Sequence, residues 1–220
     1  MIIADKEVLI YPASVPNAPL VILNAYEGEG EAVHTELQKP KIPDLSFAAV
    51  KIPEWNTDMS PWAIPSVYKN DEPFTGGADA YLEKLTNEII PAVIDNIGSK
   101  PEYIALAGYS LAGLFAVYAM YHTTMFSRIA SASGSLWYPR FVDYAKSNKL
   151  ANMPDKLYLS LGDKEAKTRN RIVATVENNT RELHDYYSSL GINTVFEMNE
   201  GNHFKDAALR IAKAIAWIVE

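Results

Sequence analysis

A serine flanked by small residues carries the clearest chemical signal in the sequence. Residues 108–113 read Gly-Tyr-Ser-Leu-Ala-Gly, with an apolar run before them and an apolar helical pattern after them. A nucleophilic serine on a sharp strand-to-helix turn is held in a strained backbone conformation, so its neighbours two positions away must be small, as Gly108 and Ala112 are. We predict that Ser110 is a nucleophile in acyl transfer. The alternative is an ordinary strand–loop–helix junction, which the flanking patterns disfavour.

A histidine late in the chain is placed to activate this serine, which alone is a poor nucleophile. His203 lies in a loop after the last predicted strand and before the last predicted helix. That loop belongs to the carboxyl edge of the predicted sheet, which is where the base should lie. His122 and His184 fall on predicted helices, and His34 precedes the serine turn. We therefore predict that His203 is the general base, against the alternative of a surface-loop histidine.

The acid that orients the base should follow the predicted strand 157–161. The loop there offers Asp163 and Glu165 after Gly162, and by position either carboxylate could serve. Asp163 comes directly at the turn, where a short carboxylate commonly accepts hydrogen bonds from backbone amides two residues on. Glu165 lies further into the loop and has one more methylene with which to reach an imidazole. We choose Glu165 as the acid and keep Asp163 as the alternative.

Stabilising the developing negative charge requires two backbone N–H donors, which together form an oxyanion hole. One donor is the amide of Leu111, directly after the nucleophile. The other should come from the loop that follows Leu23. Within that loop the position of Tyr26 makes it the predicted donor, and the alternative is a plain turn.

Aromatic residues in the loops that follow strands should contribute to a substrate pocket. The candidates are Trp55, Trp62, Trp137 and Tyr138. We expect several of them to rim the pocket, although such a residue more often only packs its own loop. Trp137 and Tyr138 are predicted to contact the substrate, because they follow the strand next to the nucleophile strand.

Composition limits the class of protein. The chain has 220 residues, a hydrophobic fraction of 48% and a charged fraction of 21%, as expected of one globular domain spanning residues 1–220. Its net charge of −7 argues against binding of nucleic acid, since contacts to a phosphate backbone require basic patches. The sequence has no apolar run of about 18 residues, so we expect no membrane span. Asp5 stands where a signal peptide would have its apolar core, which leads us to expect a cytoplasmic protein.

Cysteine is absent from the sequence, which removes disulfides, thiolate metal ligands and cysteine nucleophiles together. The four histidines are scattered, and none has a second ligand at the spacing of a zinc motif, so we predict neither a metal ion nor another cofactor. Gly28 and Gly30 lie among Glu27, Glu29 and Glu31, which would repel a phosphate. We therefore do not predict a nucleotide-binding loop.

The elements that must position these residues alternate between strands and helices, which predicts a mostly parallel central sheet with helices on both faces. The predicted strands are 8–11, 20–23, 47–52, 103–107, 129–133, 157–161 and 194–198. Apolar residues at helical spacing predict helices within 82–97, 111–121, 173–190 and 207–218, the first of them kinked or interrupted at Pro91. With the serine on a strand-to-helix turn, this order predicts the α/β-hydrolase fold.

Residues 134–156 lie where larger α/β-hydrolases insert a lid. Here the segment is long enough for one short helix around 141–146, so no lid domain is expected. An active site without a lid is open, which suits water-soluble esters better than lipids.

The chain resembles the esterase family of α/β-hydrolases that includes esterase D and the enterochelin esterases. The resemblance runs from residue 18 to residue 220 and rests on the serine turn and on three further motifs. These motifs are Asn-Thr-Asp-Met-Ser-Pro at 56–61, Phe-Thr-Gly-Gly-Ala-Asp at 74–79 and Gly-Asn-His-Phe at 201–204. Two positions depart from the commoner family pattern: Ala112 stands where Gly is usual, and Asn24-Ala25 stands where His-Gly or Asp-Gly is more typical.

The resemblance implies carboxylester hydrolysis, with substrates that range from thioesters to siderophore and hydroxycinnamoyl esters. It also places the acid three residues after Gly162, which is Glu165. We therefore predict a serine carboxylesterase that hydrolyses soluble short-chain or aromatic acyl esters, with a small-molecule ester as its partner and an oligomeric state that the sequence does not determine.

Two other functions are compatible with the same fold. An acyltransferase would use the same acyl-enzyme and pass the acyl group to an alcohol or a sugar. A non-catalytic member would bind a small ligand in the same pocket, but it would require the loss of a residue of the Ser110–Glu165–His203 triad, and none is lost.

Overall fold

The computed structural model describes residues 1–39, 42–69 and 71–220 of the chain. In these residues, eight strands form one central sheet and two short strands form a separate antiparallel pair. The strands of the central sheet are β1 Ile2–Ile3, β2 Lys6–Tyr11, β3 Leu20–Ala25, β4 Ser46–Lys51, β7 Ile104–Tyr109, β8 Arg128–Ala132, β9 Lys156–Gly162 and β10 Asn193–Asn199. The separate pair consists of β5 Ala63–Ile64 and β6 Phe74–Thr75.

The strand order of the central sheet is β1-β2-β4-β3-β7-β8-β9-β10. Pairing is antiparallel between β1 and β2 and between β2 and β4, and it is parallel from β4 through to β10. The carboxyl ends of six parallel strands therefore meet at one edge of the sheet. The predicted α/β-hydrolase fold, with its mostly parallel sheet, is confirmed.

Helices cover both faces of this sheet, as the alternating pattern predicted. The helices are α1 Glu29–Leu37, α2 Trp55–Asp58, α3 Ala78–Lys84, α4 Ile90–Ile97, α5 Leu111–Ala119, α6 Phe141–Ser147, α7 Val176–Ser189 and α8 Ala207–Val219. The buried side chains of α1 and α8 pack in the core on one face, and those of α3 to α7 pack in the core on the other. Across the described ranges, no helix is both long enough and apolar enough to cross a membrane.

The helix that contains Pro91 is interrupted, and the interruption takes the form of a π-helical turn. Residues Leu85–Ile89 form this turn between α3 and α4, and Pro91 is the second residue of α4. Proline has no N–H to donate to the carbonyl four residues earlier, and its ring crowds that carbonyl. A wider π turn directly before it relieves this conflict.

Helix α1 was not predicted from the sequence. It begins among acidic residues, and only Gly30, Val33 and Leu37 of its nine residues are buried, which gives a weak apolar period. Its first turn lies very close to the sheet, because a Cβ added at Gly30 would fall 2.5 Å from Cβ of Ala49. Gly30 therefore serves helix-to-sheet packing, whereas a Cβ added at Gly28 would meet nothing within 4 Å.

Candidate active site

The serine turn has the strained conformation that its sequence predicted. Ser110 lies between β7 and α5 with φ of 55° and ψ of −121°, a region that residues with a Cβ rarely adopt. Backbone hydrogen bonds hold it there: its N–H donates to the Ala132 carbonyl over 3.2 Å, and its carbonyl accepts from the amide of Ser135 over 2.8 Å. A Cβ at Gly108 would lie 2.2 Å from the Ala112 carbonyl oxygen, so this turn requires a glycine there.

The predicted base and the predicted nucleophile are in hydrogen-bond contact. Nε2 of His203 lies 3.0 Å from Oγ of Ser110. On the other side of the ring, Nδ1 lies 2.7 Å from Oε2 of Glu165. A carboxylate only accepts, so it fixes the proton on Nδ1 and leaves the Nε2 lone pair for the serine hydroxyl. The three residues predicted as nucleophile, base and acid thus form one hydrogen-bonded chain.

Strand ends explain how residues so far apart in sequence come together. Ser110 follows β7, Glu165 lies in the loop after β9, and His203 lies in the loop between β10 and α8. All three strands are parallel, so these loops leave the sheet at the same edge. Tyr109 adds a direct tie, since its hydroxyl donates to the carbonyl of His203 over 2.6 Å.

The carboxylate of Glu165 is buried and fully hydrogen-bonded. Its Oε1 accepts from the Ser133 hydroxyl over 2.7 Å, from the Gly162 amide over 2.6 Å and from Nη1 of Arg210 over 3.1 Å. Burial raises the pKa of this carboxyl, but the hydrogen bond and charge of His203, with the other donors, outweigh burial and hold the pKa below its ordinary value. The group is therefore an anion at neutral pH.

Asp163 makes a different contact from the one expected of it. Its Oδ1 accepts from the backbone amide of Gly201 over 2.6 Å, across the gap to the neighbouring loop, and not from an amide two residues on in its own turn. The sheet explains this, because β9 and β10 end in register at Gly162 and Asn199, and the residues that follow face each other. The Gly201 amide is the main cause that lowers the pKa of Asp163. Asp163 thereby ties the loop of the acid to the loop of the base.

The two predicted oxyanion donors differ in their surroundings. Leu111 is the first residue of α5 and lines the pocket, and an amide at the first position of a helix has no acceptor within the helix. The amide of Tyr26 instead donates to Oε2 of Glu29 over 3.0 Å. Burial is the main cause that raises the pKa of Glu29, while the charge of His203 lowers it. The Tyr26 amide therefore already has a hydrogen-bond acceptor within the protein.

A cavity of about 590 Å³ opens at Ser110. Much of its wall is aromatic, and the aromatic lining residues are Trp55, Tyr68, Phe74, Trp137 and Phe204. Polar side chains complete the wall, among them Asn56, Lys164, Lys167, Thr168 and Asn202. The cavity thus combines aromatic side chains with charged and amide groups, and Ser110 is part of the same wall.

The two residues predicted to contact substrate lie in different places. Trp137 lines the cavity. Tyr138 is buried to 1% exposure in the adjoining core, where its hydroxyl donates to the Trp62 carbonyl over 2.5 Å. Neither Tyr138 nor Trp62 is among the described residues that line the cavity. Of the four aromatic residues named from the sequence, Trp55 and Trp137 are therefore the ones at the pocket.

Sequence reasoning missed several residues of the site. Ser133 and Ser135 follow β8, the strand next to the nucleophile strand, and Oγ of Ser135 lies 3.3 Å from Oγ of Ser110. Phe204 lines the cavity and is 86% exposed. The signal that could have identified it is its position directly after the predicted base. Arg210 lies behind Glu165. The signal that could have identified it is a charged residue on the otherwise apolar face of the last helix.

Comparisons with known proteins agree with this architecture. Residues 28–209 match the family described as Putative esterase. Among curated proteins, YbbA of Bacillus subtilis (strain 168), described as uncharacterized, is 22% identical over 201 residues, which cover 88% of this chain and 80% of YbbA.

Two solved structures are similar throughout the fold. An IroE-like serine hydrolase from Shewanella oneidensis has a TM-score of 0.83 at 18% identity, over 96% of this chain and 75% of that one. The siderophore hydrolase EstA from Aspergillus nidulans has a TM-score of 0.74 at 20% identity, over 94% of this chain and 84% of that one. At these identities the likeness establishes the α/β-hydrolase fold.

Proposed function

Because the chain belongs to the family described as Putative esterase, we propose that it is a serine carboxylesterase whose nucleophile is Ser110. The observation that carries the proposal is the hydrogen-bonded chain from Oγ of Ser110 through His203 to Glu165, with distances of 3.0 Å and 2.7 Å. A nucleophile, a base and an orienting acid within hydrogen-bond reach are the arrangement that acyl transfer through serine requires.

In the proposed acylation step, Oγ of Ser110 attacks the carbonyl carbon of the ester while its proton passes to Nε2 of His203. The tetrahedral oxyanion is stabilised by the amide of Leu111 and by a second donor, for which Tyr26 is the candidate. His203 then gives the proton to the leaving alkoxide oxygen, so an alcohol departs and an acyl-enzyme remains. Glu165 stabilises the imidazolium and keeps its own charge throughout.

Deacylation repeats the sequence with water. His203 removes a proton from a water molecule, the hydroxyl attacks the acyl carbon, and the proton returns to Oγ of Ser110 as the acid product leaves. An acceptor alcohol in place of water would make the enzyme an acyltransferase. Analysis of products formed with an added alcohol separates the two reactions, and hydrolysis is our proposal.

We propose short-chain or aromatic acyl esters as the substrates. The volume of about 590 Å³ and the aromatic lining support an acyl group with a ring, and lysine and asparagine side chains on the wall suit a polar substituent. Because one structural relative is described as a siderophore hydrolase, siderophore esters belong in the substrate panel.

The proposal is tested with a fluorophosphonate probe and a panel of chromogenic esters. We expect the probe to label Ser110, as read by peptide mass spectrometry, and Ser110→Ala to lose labelling and turnover, with a rate loss of up to about 10⁶. Ester turnover at the normal rate in Ser110→Ala would refute the serine mechanism. Turnover that rose steadily with acyl chains beyond about ten carbons would refute the substrate class, since we propose short-chain or aromatic acyl groups.

A further inference from the structure

A buried arginine lies directly behind the candidate triad. Arg210 is on α8, and the residue is 2% exposed. Nη1 donates to Oε1 of Glu165 over 3.1 Å and to Oγ of Ser133 over 3.1 Å, and it lies 3.3 Å from the hydroxyl of Tyr109. Nη2 donates to the carbonyl of Glu200 over 2.9 Å. One side chain therefore contacts residues that follow β8, β9 and β10, and the last residue of β7.

The first consequence concerns the acid. Glu165 has two carboxylate oxygens, and Arg210, Ser133 and the Gly162 amide all donate to Oε1. Oε2 accepts the hydrogen bond from the imidazole of His203. The donors on Oε1 thus fix the rotation of the carboxylate so that Oε2 faces the histidine ring.

The second consequence concerns the base. Arg210 holds the carbonyl of Glu200 at the start of the loop that carries His203. It also donates to the hydroxyl of Tyr109, which in turn donates to the carbonyl of His203 over 2.6 Å. The guanidinium therefore connects the acid and the base through separate contacts.

The surrounding backbone makes room for this group. A Cβ added at Gly162 would lie 3.0 Å from both Nη1 and Nη2 of Arg210 and 2.3 Å from the carbonyl oxygen of Gly201. A lysine in place of Arg210 would present one ammonium group and could not bond to all the same partners, because only a guanidinium has N–H donors spread along a planar fork. Burying such a cation is costly unless it is paired and hydrogen-bonded, as it is here.

We propose that Arg210 is a positioning residue, which holds the Glu165 carboxylate and the His203 loop in the geometry that catalysis requires without touching the substrate. The inference rests on the proposed function of the Ser110 site. The titratable and charged groups that face Arg210 are Glu165 from the loop after β9, Tyr109 from β7 and, at longer range, Lys205 from the loop before α8. The charged groups that face the His203 ring itself are Glu165 and, at longer range, Glu29. Arg210 lies behind Glu165, so its charge acts on the imidazolium across that carboxylate.

The test compares Arg210→Met, which removes the charge and keeps the length, with Arg210→Lys, which keeps the charge and loses the fork. Arg128→Gln is the matched control, because the half-buried Arg128 also donates to a carbonyl of α8, that of Ile218, but from β8 next to the side chain of Tyr103. For each variant we measure kcat and KM on a soluble chromogenic ester, the pH profile of kcat/KM and the thermal midpoint.

We expect Arg210→Met to lower kcat by about 10- to 100-fold, as a displaced catalytic group does, with a change in KM of less than about 3-fold. The acid limb of its pH profile should move to higher pH, because the imidazolium is no longer opposed by a neighbouring cation. Arg210→Lys should recover part of kcat and keep the acid limb near that of the unaltered protein. Arg128→Gln should keep kcat within about 2-fold.

A folded Arg210→Met variant with unaltered kcat and an unaltered pH profile would overturn the positioning role. Where Arg210→Met does not fold, Tyr109→Phe tests the same network, because it removes only the hydroxyl that joins Arg210 to the His203 carbonyl. An unaltered kcat and pH profile in both Arg210→Lys and Tyr109→Phe would also overturn it. Failure of the proposed function is distinguishable, since the unaltered protein would then not be labelled at Ser110 by the fluorophosphonate probe.

Discussion

The carboxylate of Glu29 accepts a hydrogen bond from the backbone amide of Tyr26 over 3.0 Å. Glu29 is the first residue of α1, and its side chain reaches back three residues to an amide that precedes the helix. The same amide is the candidate second donor of the oxyanion hole. A carboxylate therefore already accepts the hydrogen bond of the amide that we propose as the second oxyanion donor.

Glu29→Gln should increase turnover if Tyr26 is the second donor. The glutamine side chain carries no charge that would oppose the oxyanion. A backbone donor that bonds fully to the oxyanion is worth about 10² in kcat, so we expect kcat to rise by roughly 3-fold or more. Burial raises the pKa of Glu29, so its charge is present above that raised value and is lost as the pH falls through it. The ratio of variant to unaltered kcat should therefore be near one at low pH and should grow as the pH rises.

Glu27→Gln is the matched control, because Glu27 is an exposed neighbour in the same loop. Its kcat should follow that of the unaltered protein at every pH. If Glu29→Gln were slower than the unaltered protein at every pH, Glu29 would hold the Tyr26 loop in place and would not oppose the oxyanion.

Glu165→Gln should lower kcat by roughly 10² to 10⁴ and leave the fold intact, since the glutamine keeps the shape but loses the charge that stabilises the imidazolium. Asp163→Asn should have a much smaller kinetic effect, because the Asp163 carboxylate bonds to the Gly201 amide. Steady-state kinetics and circular dichroism on both variants provide the measurement. The reverse pattern would make Asp163 the acid, and two unimpaired variants would indicate a Ser110–His203 dyad.

Asp163→Asn should lower the melting temperature at neutral pH, and the difference should vanish in acid. The pKa of Asp163 is lowered in the folded protein, chiefly by the Gly201 amide. A lowered carboxyl pKa contributes stability above the unfolded value of about 3.9, and that contribution is lost as the pH falls through the folded value. Thermal melts of the variant and the unaltered protein between neutral pH and pH 3 should therefore converge only below about pH 4. A gap independent of pH would mean that the charge plays no part.

Trp137→Ala should raise KM more for an aromatic acyl ester than for an acetate, because the indole lines the cavity. Tyr138→Phe is the paired variant, since the Tyr138 hydroxyl donates to the Trp62 carbonyl in the core. It should lower the melting temperature and leave both KM values unaltered. Equal effects of Trp137→Ala on the two esters would mean that the indole only packs its loop.

The order of elements and the strand ends were predictable from the sequence because both follow from local patterns. Apolar runs marked the strands of the parallel sheet, and chain order put Ser110, an acidic loop and His203 after the ends of β7, β9 and β10. The direction in which each loop side chain points could not be predicted. Asp163 and Glu165 both bond to the loop between β10 and α8, Asp163 to the Gly201 amide and Glu165 to the His203 ring. Which carboxylate meets the ring depends on the register of β9 against β10.

The same limit explains why Trp137 and Tyr138, which were both predicted to contact the substrate, lie in different places. The chain turns sharply after β8, where Ser133 has φ of 46°, and successive side chains then face a cavity and a core. Sequence position gave both residues the same prediction, and only Trp137 lies at the pocket. Arg210 was missed for a different reason, because its role depends on partners at or after the ends of four strands, which lie far apart in the sequence.

The parallel pairing also determines when activity can appear during folding. Ser110 and His203 are separated by 93 positions, and they meet only after β7, β8, β9 and β10 have aligned in succession. Closing such long loops is slow and comes after local helices have formed. Ester hydrolysis therefore requires that all four strands are paired, and its return during refolding would report that this part of the sheet is complete.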